Sequence, residues 1–214
     1  MFRTVFFLIN ILLVVCIMGC SSDAAQIPYY NTPDFTPIFL SENQELKKTV
    51  THQISDFSFV NQNSQIITNK EIEGKVHIAN FMFTSCTSIC PDMTGNMKLV
   101  EEAFFNDERV AVLSYSVTPW IDTPDKLLDY VKLNDIKTNN WHFLTGNKSG
   151  IYSLARESYF AEESMGFSKD STDFLHTEYF ILVDKNKRIR GVYNGTLMLE
   201  SKQVVEDIKI LLEE

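Results

Sequence analysis

Residues 81–91 read FMFTSCTSICP, a stretch in which an apolar strand ends and a helix begins. Cys86 and Cys90 are four residues apart, so their thiols lie on one face of the chain if the first turn is helical. Pro91 supports a helix start at this point, because proline has no amide hydrogen and fits an early helical position. Two thiols at this spacing can bind a soft metal, cycle through a disulfide, or do both.

The start of a helix favours the thiolate form of a cysteine, because unpaired backbone amides and the helix dipole stabilise negative charge. We therefore expect a lowered pKa for the thiols of Cys86 and Cys90. A low pKa helps metal binding and nucleophilic attack alike, so it does not distinguish the two chemistries. Adjacent helical turns bring two Cα atoms to about 6 Å, a separation that a disulfide tolerates.

The first residues of the chain have the features of a secretory signal. Arg3 is followed by an apolar run over 5–18 that only Asn10 interrupts, and this run is too short for a stable transmembrane helix. Residues 17–22, IMGCSS, resemble the lipobox of bacterial lipoproteins. That resemblance implies that Cys20 becomes the lipidated first residue of the mature protein. The alternatives are an ordinary cleaved signal, which leaves a soluble protein, and an uncleaved signal anchor.

The chain has four cysteines, and export accounts for two of them. Cys16 leaves with the signal and Cys20 is acylated, so Cys86 and Cys90 remain as the thiol pair of the exported protein. A stray thiol is a liability in an oxidising compartment, which favours a pair with a dedicated role. A purely structural disulfide between them would close a very short loop and contribute little entropic stabilisation.

Composition limits the partners and the domain organisation. The formal net charge of −9 argues against nucleic acid and against a polybasic membrane patch. The length of 214 residues suffices for one domain with an adequate core. We assign residues 1–19 to the signal peptide, 20–50 to a lipidated stalk and 51–214 to the domain. Within the stalk, we expect the aromatic stretch 29–39 to pack onto the domain, because its aromatic content is high for a flexible linker.

Strand and helix patterns alternate after the stalk. An apolar run over 76–83 suits a central buried strand, and 110–117 suits a second one. Thr123 and Pro124 mark a helix start as N-cap and first-turn residues. The other predicted elements are a hairpin of 54–59 and 66–67, a helix after the cysteines, a strand over 141–144, a helix over 147–157, a hairpin of 179–184 and 188–193, and a final helix over 199–212. This order predicts an α/β fold with a mixed central sheet flanked by helices and an N-terminal β-hairpin.

Two thiolates alone hold a redox-active metal poorly, so a third ligand is expected. The chain has four histidines. His52 lies near the stalk, and His77, inside a buried strand, fits a satisfied core residue. His142 fits packing on a strand. His176 stands in the segment DFLHTE, residues 173–178, immediately before an apolar strand.

Other metals and ligands match the sequence less well. Structural zinc takes four protein ligands, whereas three candidates are present here. Met93, Met97 and Met165 offer thioethers for copper(I). Met93 and Met97 recur at helical spacing, however, which is typical of core side chains.

The pattern as a whole resembles the Sco/SenC family of thioredoxin-fold copper-binding proteins, which serve the assembly of cytochrome c oxidase. The matching stretches are Gly74-Lys75, Cys86-Thr87-Ser88-Ile89-Cys90-Pro91, SVTPWIDTP over 116–124, Leu144-Thr145-Gly146, and His176 ahead of the strand over 179–184. The resemblance runs from about residue 54 to the C-terminus, and Cys-x-x-x-Cys-Pro with a late histidine is its specific part. The family commonly has an aspartate before the proline that matches Pro119, where this chain has Thr118.

The resemblance implies a thioredoxin-like domain in which Cys86, Cys90 and His176 bind copper. Soft thiolates select copper(I), and an added imidazole accommodates copper(II) as well. We expect a monomer that a lipid anchors in the bacterial cell envelope, at the inner or the outer membrane, with its domain in the periplasm. Its role is then that of a copper chaperone for the copper A centre of cytochrome c oxidase subunit II, or for another copper protein.

Two kinds of enzyme remain as alternatives. A thiol-disulfide reductase would use Cys86 and Cys90 as a redox pair to keep target cysteines reduced, and it would tolerate loss of His176. A peroxide-reducing enzyme is a further alternative, since peroxiredoxins share the fold. The residue pattern by itself does not decide between copper delivery and thiol reduction.

Overall fold

The structure, a computed structural model, describes residues 26–41, 44–161 and 177–214. Within these ranges seven strands form one sheet in the order β2-β1-β5-β4-β3-β6-β7. The strands are β1 (Ser58–Asn61), β2 (Ile66–Thr68), β3 (Val76–Met82), β4 (Val110–Ser116), β5 (Trp141–Thr145), β6 (Tyr179–Val183) and β7 (Ile189–Asn194). The helices are α1 (Leu46–Thr49), α2 (Ile89–Ala103), α3 (Pro124–Leu133), α4 (Lys148–Ser153) and α5 (Met198–Glu213).

The interior strands β3 and β4 are buried along their whole length. They pair in parallel, from Val76 opposite Val110 to Met82 opposite Ser116. β5 adds to β4 in parallel, whereas β1, β6 and β7 run antiparallel to their neighbours. Buried parallel strands have near-continuous apolar sequences, so β3 and β4 could be predicted from the sequence. The prediction of an α/β fold with a mixed central sheet is confirmed.

Side chains along β3 alternate between two core layers. Ile78 and Met82 face the layer of α2, α3 and α5, where Met93 and Met97 are also buried. Phe81 belongs to the opposite layer, which contains side chains of α4 and of the segment that leads into β1. The interpretation of Met93 and Met97 as core residues is therefore confirmed.

Thr123 and Pro124 begin α3 as the sequence predicts. The Thr123 hydroxyl oxygen accepts a hydrogen bond from the Lys126 amide at 3.4 Å, and Pro124 is the first helical residue. The helix predicted over 147–157 is only partly correct. It is α-helical in α4 and then continues as the π-helical turn Leu154–Ser158.

Both predicted hairpins are present. In the N-terminal hairpin, β1 starts at Ser58, four residues later than predicted, because the Ile54 amide donates instead to the carbonyl oxygen of Lys187 at 2.9 Å. Its turn is held by Asn61, whose side-chain oxygen accepts from the Gln65 amide at 3.0 Å. β6 and β7 form the second hairpin within one residue of the predicted limits.

The aromatic stretch 29–39 packs onto the domain as expected. Tyr30 forms a β-bridge with Ile189 at the start of β7. Phe35 stands edge-on to Tyr30 and Tyr179, with ring centroids 6.1 and 5.9 Å away. These contacts bury aromatic surface that a free linker would leave in water.

Arg190 holds the beginning of this segment against β7. Its buried guanidinium donates to the carbonyl oxygens of Ile27 at 2.9 Å and Pro28 at 3.1 Å, and it lies 4.0 Å from the centroid of the Tyr29 ring. Glu214 accepts from two nitrogens of the same guanidinium, which pairs the charge. The two ends of the described chain are therefore fastened to one side chain.

The signal peptide over 1–19 and Cys20 lie outside the described residues, and the limits of stalk and domain stay a prediction. Among the helices that the structure describes, each is too short or too polar to cross a membrane.

His77 is a core residue, as the sequence indicates. Its side chain is fully buried in β3, and its Nε2 lies 3.1 Å from the hydroxyl of Tyr159. Its Nδ1 is buried without a hydrogen-bond partner among the described residues. Burial disfavours the charged imidazolium and lowers the pKa of His77 to about 3.

Protonation of His77 is expected to destabilise the fold below neutral pH. The unfolded chain binds a proton at its ordinary pKa of 6.5, whereas the folded chain binds it only near pH 3. The contribution of neutral His77 to the free energy of unfolding is therefore fully present above pH 6.5 and is lost as the pH falls. We expect the free energy of unfolding to drop by about 2 kcal/mol between pH 7 and pH 5. Urea unfolding of the wild type and of His77→Gln at both pH values measures this loss. An equal loss in the variant would contradict the assignment to His77.

Candidate metal centre

The two cysteines lie on either side of the start of α2. The sequence places both thiols on one helical face only if the turn from Cys86 is helical, and this condition is not met, because α2 begins at Ile89 and Cys86 precedes it in the loop after β3. Ser88, with φ −105° and ψ −102°, is not helical and separates the two thiols along the chain. They are still brought together, since the Cys90 amide donates to the Cys86 sulfur at 3.4 Å. Both cysteines are free thiols.

The two thiols differ in exposure and in acidity. Burial opposes ionisation of Cys86, but hydrogen bonds from the Cys90 thiol and from the amides of Cys90, Ser88 and Ile89 outweigh it, so the pKa of Cys86 lies below that of an ordinary thiol. Deeper burial, followed by the hydrogen bond to Cys86, raises the pKa of Cys90. The expected thiolate character therefore holds for Cys86 and is wrong for Cys90. The helix start donates its amides to Cys86 and encloses Cys90 in the core.

A buried carboxylate lies beside the thiol loop. Asp122 is fully buried just before α3. Its Oδ1 accepts from the Thr84 hydroxyl at 2.6 Å, and its Oδ2 accepts from the Thr84 amide at 3.2 Å. The hydroxyls of Ser116 and Thr118 donate to Oδ2 as well, at 2.5 and 3.0 Å. Four donors therefore converge on one carboxylate next to the loop that carries Cys86.

Three of the four histidines occupy other parts of the molecule. His52 Nε2 lies 2.7 Å from the Ser158 carbonyl oxygen, and His142 Nδ1 lies 3.4 Å from the side-chain nitrogen Nδ2 of Asn61. His77 is the core residue described above. Within the ranges that the structure describes, no three side chains of His, Cys, Asp and Glu converge as metal ligands.

His176 lies outside the described residues, so its place as a ligand stays a prediction. The nearby described chain is informative, however. β6 runs antiparallel to β3 with Ala79 opposite Ile181, so Tyr179, the first residue of β6, lies at the end of the sheet where β3 leads into the Cys86 loop. The chain thus enters β6 at the thiol edge of the sheet.

Asp122 and Thr84 are the site residues that the sequence did not reveal. Asp122 was visible only as part of a helix start, SVTPWIDTP over 116–124. An acidic residue in a loop is usually solvated, and nothing in its neighbours along the chain marks it as buried. The signal that could have indicated a buried acceptor is the set of hydroxyl residues Thr84, Ser116 and Thr118 at the ends of β3 and β4.

A thiol pair at the start of the helix that follows an interior strand of a mixed sheet defines a protein of the thioredoxin-like class. The family model SCO1/SenC matches residues 45–213. The chain belongs to the SCO1/SenC family.

Individual relatives agree with this assignment. The SCO1 protein homolog of Bacillus subtilis is 29% identical over 168 residues, which cover 78% of this chain and 86% of the relative. The putative copper-binding protein of Stutzerimonas stutzeri is 24% identical over 154 residues, which cover 71% of this chain and 74% of the relative.

Solved structures show the same fold. A crystal structure of a SCO1/SenC family lipoprotein from Bacillus anthracis superposes with a TM-score of 0.64 at 29% identity, covering 78% of this chain and 99% of the other. BsSco, a member of the Sco family of cytochrome c oxidase assembly proteins in which a disulfide switch was identified, gives 0.62 at 27% identity, covering 75% and 93%. The thioredoxin-like architecture predicted for the sheet and its helices is therefore confirmed.

The difference between the thiols predicts selective alkylation of Cys86. Only the thiolate attacks iodoacetamide, so partly exposed Cys86 should react at least about tenfold faster than buried Cys90 at pH 8. The reduced variants Cys90→Ser and Cys86→Ser, each also carrying Cys16→Ser and Cys20→Ser, isolate the two thiols for mass spectrometry. The rate at Cys86 should reach half its maximum below pH 9.0, the ordinary thiol value. Equal rates at the two thiols would rule out this asymmetry.

Proposed function

We propose that this chain binds copper through Cys86, Cys90 and His176 and delivers it during assembly of cytochrome c oxidase. The observation that carries the proposal is the free thiol pair, with the Cys86 sulfur held 3.4 Å from the Cys90 amide at the edge of the sheet. Two sulfur donors suit copper(I), because soft ligands select a soft ion. The residues present therefore fit copper as the cargo.

His176 is proposed as the third ligand. Support comes from the described start of β6 at Tyr179, three residues after His176 and at the thiol edge of the sheet. The other histidines contact groups elsewhere, as their hydrogen bonds to Ser158 and Asn61 illustrate. A neutral imidazole beside two thiolates holds copper(II) as well as copper(I), and its affinity falls when the ring is protonated.

The different exposure of the two thiols supports a direction for metal transfer. Cys86 is partly exposed and can contact the ligands of an acceptor, whereas Cys90 is buried and releases the copper after Cys86 does. Transfer then proceeds by ligand exchange, in which acceptor thiolates replace Cys86 first. The acceptor that we propose is the copper A site of oxidase subunit II or another copper protein.

We further propose that the protein acts as a monomer in the bacterial cell envelope. A signal peptide over 1–19 and a lipid on Cys20 would hold the stalk over 20–50 to a membrane, with the domain over 51–214 in the periplasm. The lipobox-like sequence supports this, and so does the similar lipoprotein from Bacillus anthracis.

Thiol-disulfide reduction is the second candidate function, and the asymmetry of the thiols favours it specifically. The Cys86 thiolate would attack a target disulfide, which forms a mixed disulfide and releases one target thiolate. The Cys90 sulfur would then attack Cys86, releasing the second target thiol and leaving a Cys86–Cys90 disulfide. This reaction needs no histidine and no copper.

Titration with copper(I) against a competing chelator distinguishes the two functions. The reduced full chain in detergent, with Cys16→Ser and Cys20→Ser, is expected to bind one copper(I). His176→Ala should weaken binding by about a hundredfold or more, because substitutions outside the ligand shell already cost about 10–100-fold. His142→Ala, a histidine change elsewhere in the sheet, should leave the affinity unchanged.

Two results would count against the copper proposal. Equal affinity of His176→Ala and the wild type would remove His176 from the ligand set. A wild type that binds no copper(I) but reduces a disulfide peptide would establish the reductase instead.

A further inference from the structure

We infer that Asp122 is the positioning residue of the thiol site, and that its carboxylate fixes the loop that presents Cys86 to Cys90. The inference deepens the proposed function and rests on it, because it concerns the same thiol pair. It assigns to Asp122 a role that its place before a helix does not suggest.

The carboxylate binds the loop at one residue through two different groups. Thr84, two residues before Cys86, donates its hydroxyl to Oδ1 at 2.6 Å and its amide to Oδ2 at 3.2 Å. Together these bonds restrict both the backbone and the side chain of Thr84. The Cys86 amide then donates to the carbonyl oxygen of Phe83 at 3.2 Å, which closes the turn that ends at the thiol. The position of Cys86 therefore follows from that of Thr84.

Asp122 is itself held firmly, so it can serve as a fixed point. Its amide and that of Ile121 donate to the Thr118 carbonyl oxygen at 2.9 and 2.8 Å. The Val117 amide donates to the carbonyl oxygen of Met82 at 2.9 Å, which ties this loop to the end of β3. Hydrogen bonds to an ionised acceptor are stronger than those between neutral groups, and this carboxylate accepts four.

Thr118 contributes one of the four donors to the Asp122 carboxylate. Its hydroxyl donates to Asp122 Oδ2 at 3.0 Å and is buried. An aspartate at position 118 would place a second carboxylate beside the first in a buried site, where each charge disfavours the other. Threonine instead adds a donor, and Asp122 is left as the carboxylate beside the thiol loop.

The chain offers a matched control at the other end of α2. Glu101 is also buried, and its Oε1 accepts from the amides of Lys137 and Thr138 at 2.6 and 2.9 Å. It fixes a loop in the same manner as Asp122, but at the end of the helix that lies away from the thiols. A change at Glu101 therefore reports the general cost of losing a buried carboxylate.

The test is the equilibrium of the Cys86–Cys90 disulfide with glutathione, in the full chain with Cys16→Ser and Cys20→Ser. Two glutathione molecules reduce the disulfide to the dithiol and leave as one glutathione disulfide, so no metal is needed. When Asp122 no longer holds Thr84, the Cys86 loop is less constrained. The effective concentration of the Cys86 thiol near the Cys90 thiol then falls. Asp122→Ala and Thr84→Val should therefore shift the equilibrium about tenfold toward the dithiol, or about 30 mV.

Two further variants distinguish a positioning role of Asp122 from a general loss of stability. Asp122→Asn keeps an oxygen acceptor and gains a donor for the Thr84 hydroxyl, so it should stay within about threefold of the wild type. Glu101→Ala should lower stability to urea as Asp122→Ala does, and leave the disulfide equilibrium unchanged.

An equal shift in Glu101→Ala, or none in Asp122→Ala, would overturn the inference. If Asp122→Ala does not fold, the near-isosteric Thr84→Val decides alone, and wild-type behaviour in that variant overturns it. A wild type that binds no copper(I), together with the tenfold shift in Asp122→Ala, would sink the copper proposal and leave the positioning role intact.

Discussion

The parallel pairing of β3 with β4 is the constraint on which the site depends. Parallel neighbours end at the same edge of a sheet, so the loop after β3, which carries Cys86, lies beside the loop after β4, which carries Asp122. The register is continuous over all of β3, and its side chains fill both core layers. A slip of one residue would turn each of these side chains to the opposite layer and separate Thr84 from its carboxylate. Packing far from the thiols thus determines their geometry.

One helix start gives two cysteines opposite properties. Backbone amides point out of the first turn toward Cys86 and stabilise its charge, while the same turn carries Cys90 into the core, where charge is disfavoured. A symmetric pair would offer no preferred point of attack or release. The asymmetry therefore supplies an order of events, whether the event is metal transfer or disulfide exchange.

Much of the fold could be predicted because its signals are local. The apolar runs of β3 and β4 and the cap at Thr123 each depend on residues close in sequence. The helix start near Pro91 was predicted correctly, but the position of Cys86 before the helix was not, since the Ser88 conformation depends on contacts of the Cys86 loop that no spacing rule contains. The burial that raises the pKa of Cys90, and the burial of Asp122, arise from packing against residues distant in sequence. His176 stays a prediction from family resemblance, supported by the position of β6.

The attachment of the N-terminal segment has a consequence for how far the site can reach. Arg190 clamps Ile27 and Pro28, and Tyr30 bridges to Ile189, where β7 starts. β7 ends at Asn194, on the thiol edge, so the clamp and the thiols stand at opposite ends of the sheet. If Cys20 carries a lipid, as proposed, the chain from Cys20 to Ile27 can span at most about 25 Å. A lipid there would hold the domain within that distance of the bilayer, attached at the end of the sheet opposite the thiols.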